Sequence, residues 1–133
     1  MSELLFFKFK DFLIMKKPII TFVPASRQRI NWRGFNQSKI LAENLAKLAR
    51  QECRSILIRE GRHKSQVGLR RRERIANMRE QIKGDSKEMS TFKGRTILIV
   101  DDVYTTGSTL EECAKALRSL GAKEVWGMVL SRD

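Results

Sequence analysis

The residues best suited to chemistry stand together at 101–109. Asp101 and Asp102 are adjacent carboxylates, followed by Val103-Tyr104-Thr105-Thr106-Gly107-Ser108-Thr109. Ionised carboxylates only accept hydrogen bonds, so an adjacent pair suits the vicinal hydroxyls of a sugar. Small, hydroxylated residues around one glycine let successive backbone N–H groups converge on an anion at the positive end of a helix. Thr105, Thr106 and Thr109 add hydroxyl donors. A phosphate seat beside two acids matches a sugar phosphate. Three rival readings fit less well. A P-loop needs a lysine after its last glycine, and Gly107 is followed by Ser108. A phospho-accepting receiver domain carries its paired acids near the start. A plain strand-to-helix turn has no need of two acids at the sheet edge where ligands bind.

A strand must deliver these acids and a helix must follow the loop. Ile97 to Val100 is apolar throughout, which predicts a central parallel strand over Thr96–Asp101. Leu110, Ala114 and Leu117 share one stripe, so a helix is expected over 108–120 with Gly121 as its stop. Ile19–Val23, ended by Pro24, reads as a buried strand, Ser55–Ile58 as a short one and Val125–Leu130 as the last. Asn36 caps a helix over 37–51, where Ile40, Leu41, Leu45 and Leu48 recur at helical spacing. Arg27 to Gly34 reads as a basic loop with Gly34 as hinge. Phe7 and Phe9 alternate with lysines like a short strand. Strands alternating with helices predict an α/β fold, a doubly wound, mainly parallel sheet flanked by helices. The charged stretch 60–93, with an amphipathic segment over 69–80, is the expected flexible, lid-like excursion.

A chain of 133 residues suits one domain, here taken as 1–133. The formal net charge of +12 draws in polyanions, whether nucleic acid or phosphorylated substrates. Its basic excess crowds the first two-thirds, upstream of Asp101 and Asp102, which suits a ligand carrying phosphates and a polyol better than bare duplex DNA. Cys53 and Cys113 stand far apart without a CxxC, so reduced core thiols on helices are expected rather than a disulfide or zinc site. No signal-peptide layout and no apolar run of membrane-spanning length is present, and a cytoplasmic location is expected.

Residues 97–109 resemble the loop by which type I phosphoribosyltransferases bind phosphoribosyl pyrophosphate. Tyr104 and Leu110-Glu111-Glu112-Cys113-Ala114 resemble the ComF, competence-associated branch. Val23-Pro24 with Arg33-Gly34-Phe35-Asn36-Gln37, and then Gln66, Leu69, Arg74 and Asn77, match two further blocks of that branch. The resemblance covers about residues 20 to 133. It implies that Asp101 and Asp102 hold the ribose 2′- and 3′-hydroxyls, and that Tyr104, Thr105, Thr106, Gly107, Ser108 and Thr109 hold the 5′-phosphate. Ala25, Ser26 and Arg27, with Arg29 and Arg33, would face the pyrophosphate. Gln66, Arg70 and Arg74 would sit on the lid. It implies Mg²⁺ held through substrate oxygens and water rather than directly by protein ligands. Its implied activity is transfer of the phosphoribosyl group to a nitrogen acceptor with release of pyrophosphate. The branch's cysteine-rich zinc module has no counterpart here, and residues 1–17 would be the remnant of a shortened hood. The alternative is a non-catalytic competence module that binds single-stranded DNA or a helicase partner; a homodimer is left open.

Smaller signals stand beside these. His63, the only histidine, reads as a solvated loop residue before a general base. Arg70-Arg71-Arg72 could grip pyrophosphate, contact single-stranded DNA or solvate a helix. Trp32 could stack on a base, although packing beneath a loop is commoner, and Trp126 reads as core or rim packing.

Overall fold

The computed structural model describes residues 2–60, 81–104 and 107–132, built outward from one apolar strand. That strand, β4 (Thr96–Tyr104), buries Ile97, Leu98, Ile99 and Val100. β1 (Ile19–Phe22) and β5 (Glu124–Arg132) run parallel to it on either side, in the order β1-β4-β5. Ile19 lies opposite Ile97, Phe22 opposite Val100, and Thr96 opposite Glu124. Past β1, Cys53 makes a single parallel bridge to Ile20, so this thiol lies off any helix, contrary to expectation. β2 (Leu57–Glu60) and β3 (Gln81–Gly84) form a separate antiparallel pair.

Successive side chains on a strand point to opposite faces, and this sorts the apolar residues into two cores. Ile20, Phe22, Leu98 and Val100 meet Leu13 of α1 (Ser2–Lys16) and Leu41, Ala42 and Leu45 of α3 (Gln37–Ala49). Ile19, Val23, Ile97 and Ile99 meet Cys113 and Leu117 on the other face, together with Ile82 and Phe92. The sheet is covered on both sides, which makes it a doubly wound α/β fold, as its near-continuous hydrophobic central strand requires.

Several local expectations are corrected. The Phe/Lys alternation near the N-terminus is not a strand: α1 is helical, kinked at Phe9, and packs Phe6, Phe9, Phe12 and Leu13 inward. Arg27–Arg33 is a short helix, α2, rather than a loop, though Gly34 does turn the chain at φ +79°. Within the expected excursion, residues 81–92 form β3, a 3-10 turn (Ser86–Glu88) and α4 (Met89–Phe92), with Ile82 and Phe92 buried. Residues 61–80, including His63, Gln66, Arg70 and Arg74, lie outside the described residues. α5 (Ser108–Ser119) follows Gly107 as expected. Trp126 is on the rim, edge-on to Phe12 at 5.2 Å between ring centres.

Candidate functional site

The site begins where β1 stops and β4 continues. The last bond between them runs from Val23 N–H to Val100 O at 3.1 Å, and the next two residues of β4 are Asp101 and Asp102. Alternation along the strand gives Asp102 the face of Leu98 and Val100, under α3, and gives Asp101 the face of Ile97 and Ile99. One buried hydroxyl rejoins them. Ser38 Oγ lies 3.3 Å from Asp101 Oδ1 and 3.2 Å from Asp102 Oδ1, and it accepts the Asp102 amide at 3.2 Å. Having a single proton, it donates to one carboxylate at a time.

Asn36 puts Ser38 there. Its Oδ1 accepts from the amides of Ser38 (3.0 Å) and Lys39 (3.3 Å), the N-cap role expected of it. Its Nδ2 donates to Val23 O at 3.2 Å, so the same side chain fastens the start of α3 to the end of β1. Both acids are buried. Burial pushes the Asp101 carboxyl above the usual carboxylate range, and the bond to Asp102 and its charge push the same way, while Ser38 partly offsets them.

The acids open into a cavity of about 270 Å³. Pro24, Ala25 and Ser26 form one wall, Arg33 and Phe35 to Ser38 another, and Thr109 reaches it from α5. Arg59, at the end of β2, donates through Nε to Pro24 O and adds its cation to the same space. Arg33 Nη1 sits 3.5 Å from Asp102 Oδ2. Of the residues expected to act, the structure therefore gathers Asp101, Asp102, Thr109, Ala25, Ser26 and Arg33. Gly107 takes φ +80°, where only glycine is unstrained, and α5 starts from it. Thr105 and Thr106 lie outside the described residues, as do the side chains of Tyr104, Arg27 and Arg29. Ser38 and Arg59 were not foreseen as site residues. A serine straight after a capping Asn-Gln pair, and an arginine ending a strand, are the signals that could have found them.

Residues 33–132 match the phosphoribosyl transferase domain family, three-quarters of the chain. Competence protein F of Haemophilus influenzae is 34% identical over 99 residues, which cover 72% of this chain and 43% of that protein. This chain belongs to the ComF-type phosphoribosyltransferase family. A second ComF-type relative, DNA utilization protein YhgH of Escherichia coli (strain K12), is 36% identical over 103 residues, 74% of this chain and 44% of its own length. The chain thus spans less than half the length of these relatives. The purine phosphoribosyltransferase from Pyrococcus horikoshii Ot3 superposes at a TM-score of 0.57 with 21% identity, over 98% of this chain and 72% of that one. This last likeness shows that the ComF-type chain has the phosphoribosyltransferase fold. Among the described residues, no helix is long and apolar enough to cross a membrane.

Proposed function

We propose that the chain binds phosphoribosyl pyrophosphate with Mg²⁺ and transfers the phosphoribosyl group to a nitrogen acceptor, releasing pyrophosphate. The observation that carries this is the meeting, in one cavity, of two buried acids bridged by Ser38 with the cations of Arg33 and Arg59. Acids accept the ribose hydroxyls; arginines take up the charge that grows on the departing pyrophosphate. The 5′-phosphate would sit at the loop before α5, within reach of Thr109, on the seat that the sequence of residues 104–109 suggests.

Among the described residues, no group of three or more His, Cys, Asp or Glu is placed to hold a metal ion. Asp101 and Asp102 would meet Mg²⁺ through substrate oxygens and water, the habit of that cation at phosphate sites. When bound, it would supply neutralisation of the diphosphate charge. The chain's own residues do the rest: Ser38 orients the acids, and the 24–26 turn shapes the leaving-group end.

Calorimetric titration with phosphoribosyl pyrophosphate and Mg²⁺ tests this reading. Asp102→Asn should weaken binding about tenfold or more, the worth of a hydrogen bond to a charged group, and should stop pyrophosphate release while the fold survives. If the wild type binds no phosphoribosyl pyrophosphate, the reading falls.

A second reading has support of its own. The relatives are named for competence and DNA utilization, and the chain carries a net charge of +12. Trp32, rather than packing under a loop, is 83% exposed and available for base stacking. On that reading the chain is a binding module for single-stranded DNA or a helicase partner. Affinity for single strands should then fall steeply with salt and survive Asp102→Asn.

A further inference from the structure

Arg33 occupies an odd place for a residue expected at the pyrophosphate. Its Nη1 stands 3.5 Å from Asp102 Oδ2, with 40% of the arginine side chain and 11% of the aspartate exposed. A carboxylate proposed to hold a sugar hydroxyl thus already has a cation upon it. The same cavity contains Ala25 and Ser26, so a guanidinium leaving Asp102 need not leave the cavity to reach the leaving-group wall. Gly34 follows immediately at φ +79°, and among the described residues nothing lies within 4 Å of where its Cβ would stand. A guanidinium carries five donors in a planar fork, and it binds a phosphate bidentately more strongly than it holds one long contact to a carboxylate.

Two kinds of sugar therefore meet this site differently. One that brings a diphosphate gives Arg33 a better partner and uncovers Asp102 in the same event. A sugar monophosphate must displace Arg33 with its hydroxyls alone and leaves the guanidinium without a replacement. Taking the site to be one for phosphoribosyl pyrophosphate, as proposed above, we infer that Arg33 determines specificity. It screens Asp102 until a diphosphate draws it away, and so keeps ribose 5-phosphate off the acids.

The test is titration of wild type, Arg33→Gln and Arg33→Lys with two probes in the presence of Mg²⁺, phosphoribosyl pyrophosphate and ribose 5-phosphate. Arg33→Gln should bind ribose 5-phosphate about two- to fivefold more tightly, the worth of a half-exposed ion pair. It should bind phosphoribosyl pyrophosphate about tenfold or more weakly, for want of a bidentate donor. The preference for the diphosphate would then shrink about twentyfold or more. Arg33→Lys, keeping the charge without the fork, should fall between. Opposite signs for the two probes support the screen. Equal losses would mean that Arg33 only attracts anions, and unchanged affinities would mean that it does not take part; either overturns the inference alone. Failure of the wild type to bind phosphoribosyl pyrophosphate overturns the parent reading and the inference together.

Discussion

Ser38→Ala is the sharpest test of how the two acids are held. Ser38 Oγ is the acceptor for the Asp102 amide and a donor within 3.3 Å of both carboxylates, in a residue only 3% exposed. Removing it orphans a buried N–H, a loss of about 1–3 kcal/mol, and takes a donor from charged groups, about 1.5–3 kcal/mol by itself. The two losses overlap, because the hydroxyl serves one carboxylate at a time and the adjoining cavity can admit a water in its place. We expect about 2 kcal/mol in urea titration, and for a chain of this size a fall in melting temperature of about 6–10 °C. The same change should push the Asp101 carboxyl further up, since Ser38 is one of the groups that lowers it. Ligand binding that needs ionised acids should then begin at a higher pH in calorimetry. A double-mutant cycle with Asp101→Asn should give a coupling of about 0.5–3 kcal/mol. A melting temperature lowered by less than about 2 °C, together with no coupling, would refute the bridging role.

Other expectations can be checked alongside. Asp101→Asn should raise melting temperature near neutral pH while weakening phosphoribosyl pyrophosphate in calorimetry, because it removes a buried like charge. The sign follows from its raised folded-state value: the native state binds more protons, so its contribution to stability declines as pH climbs from the ordinary 3.8 towards that value. The advantage of Asp101→Asn should accordingly shrink as the solution is acidified towards 3.8. Asn36→Ala removes the cap of α3 and its tie to Val23 O, and urea unfolding should register about 1–2 kcal/mol. Gly84→Ala would set a Cβ 2.6 Å from Leu120 Cδ1 and 3.3 Å from Ala116 O. The leucine tip can turn aside but the carbonyl cannot, so a loss of about 1–3 kcal/mol is expected by the same measurement. Cys113, whose thiol burial pushes up to about 12, should resist alkylation in the native protein and react only on unfolding.

How much of this was legible depended on where each signal resides. β1, α3, β4 and α5 announce themselves through local period: Ile97 to Val100 can only be a strand covered twice, and Leu41 and Leu45 recur on the buried side of a helix. The paired acids at the end of β4 were legible for the same reason, being contiguous. α1 was not, because its apolar residues lie on both sides. Phe6, Phe9, Phe12 and Leu13 turn inward while Phe7, Ile14 and Met15 are exposed, which blurs the helical stripe into something like alternation. α2 has only seven residues, and its apolar Ile30 and Trp32 are exposed, so no buried face marked it. Ser38 escaped notice since its role exists only across the 63 residues that separate it from Asp101. Arg59 likewise meets Pro24 from 35 residues away. Pairings of that range are made by the tertiary fold, and neighbouring residues mark only the cap before Ser38 and the strand that carries Arg59.

Because Asn36 fastens α3 to β1, that helix behaves as a lever. Leu45 and Ala46, packed in the interior, lie on its long arm, and the buried Ser38 hydroxyl lies close to the fastening. Leu45 and Ser38 are separated by about 10 Å along the axis, roughly two turns. A change in side-chain volume at Leu45 would thus swing the far end of the helix more than the hydroxyl, which lies beside the fastening. Sequence drift in the interior can therefore proceed while the hydroxyl keeps its station between the acids.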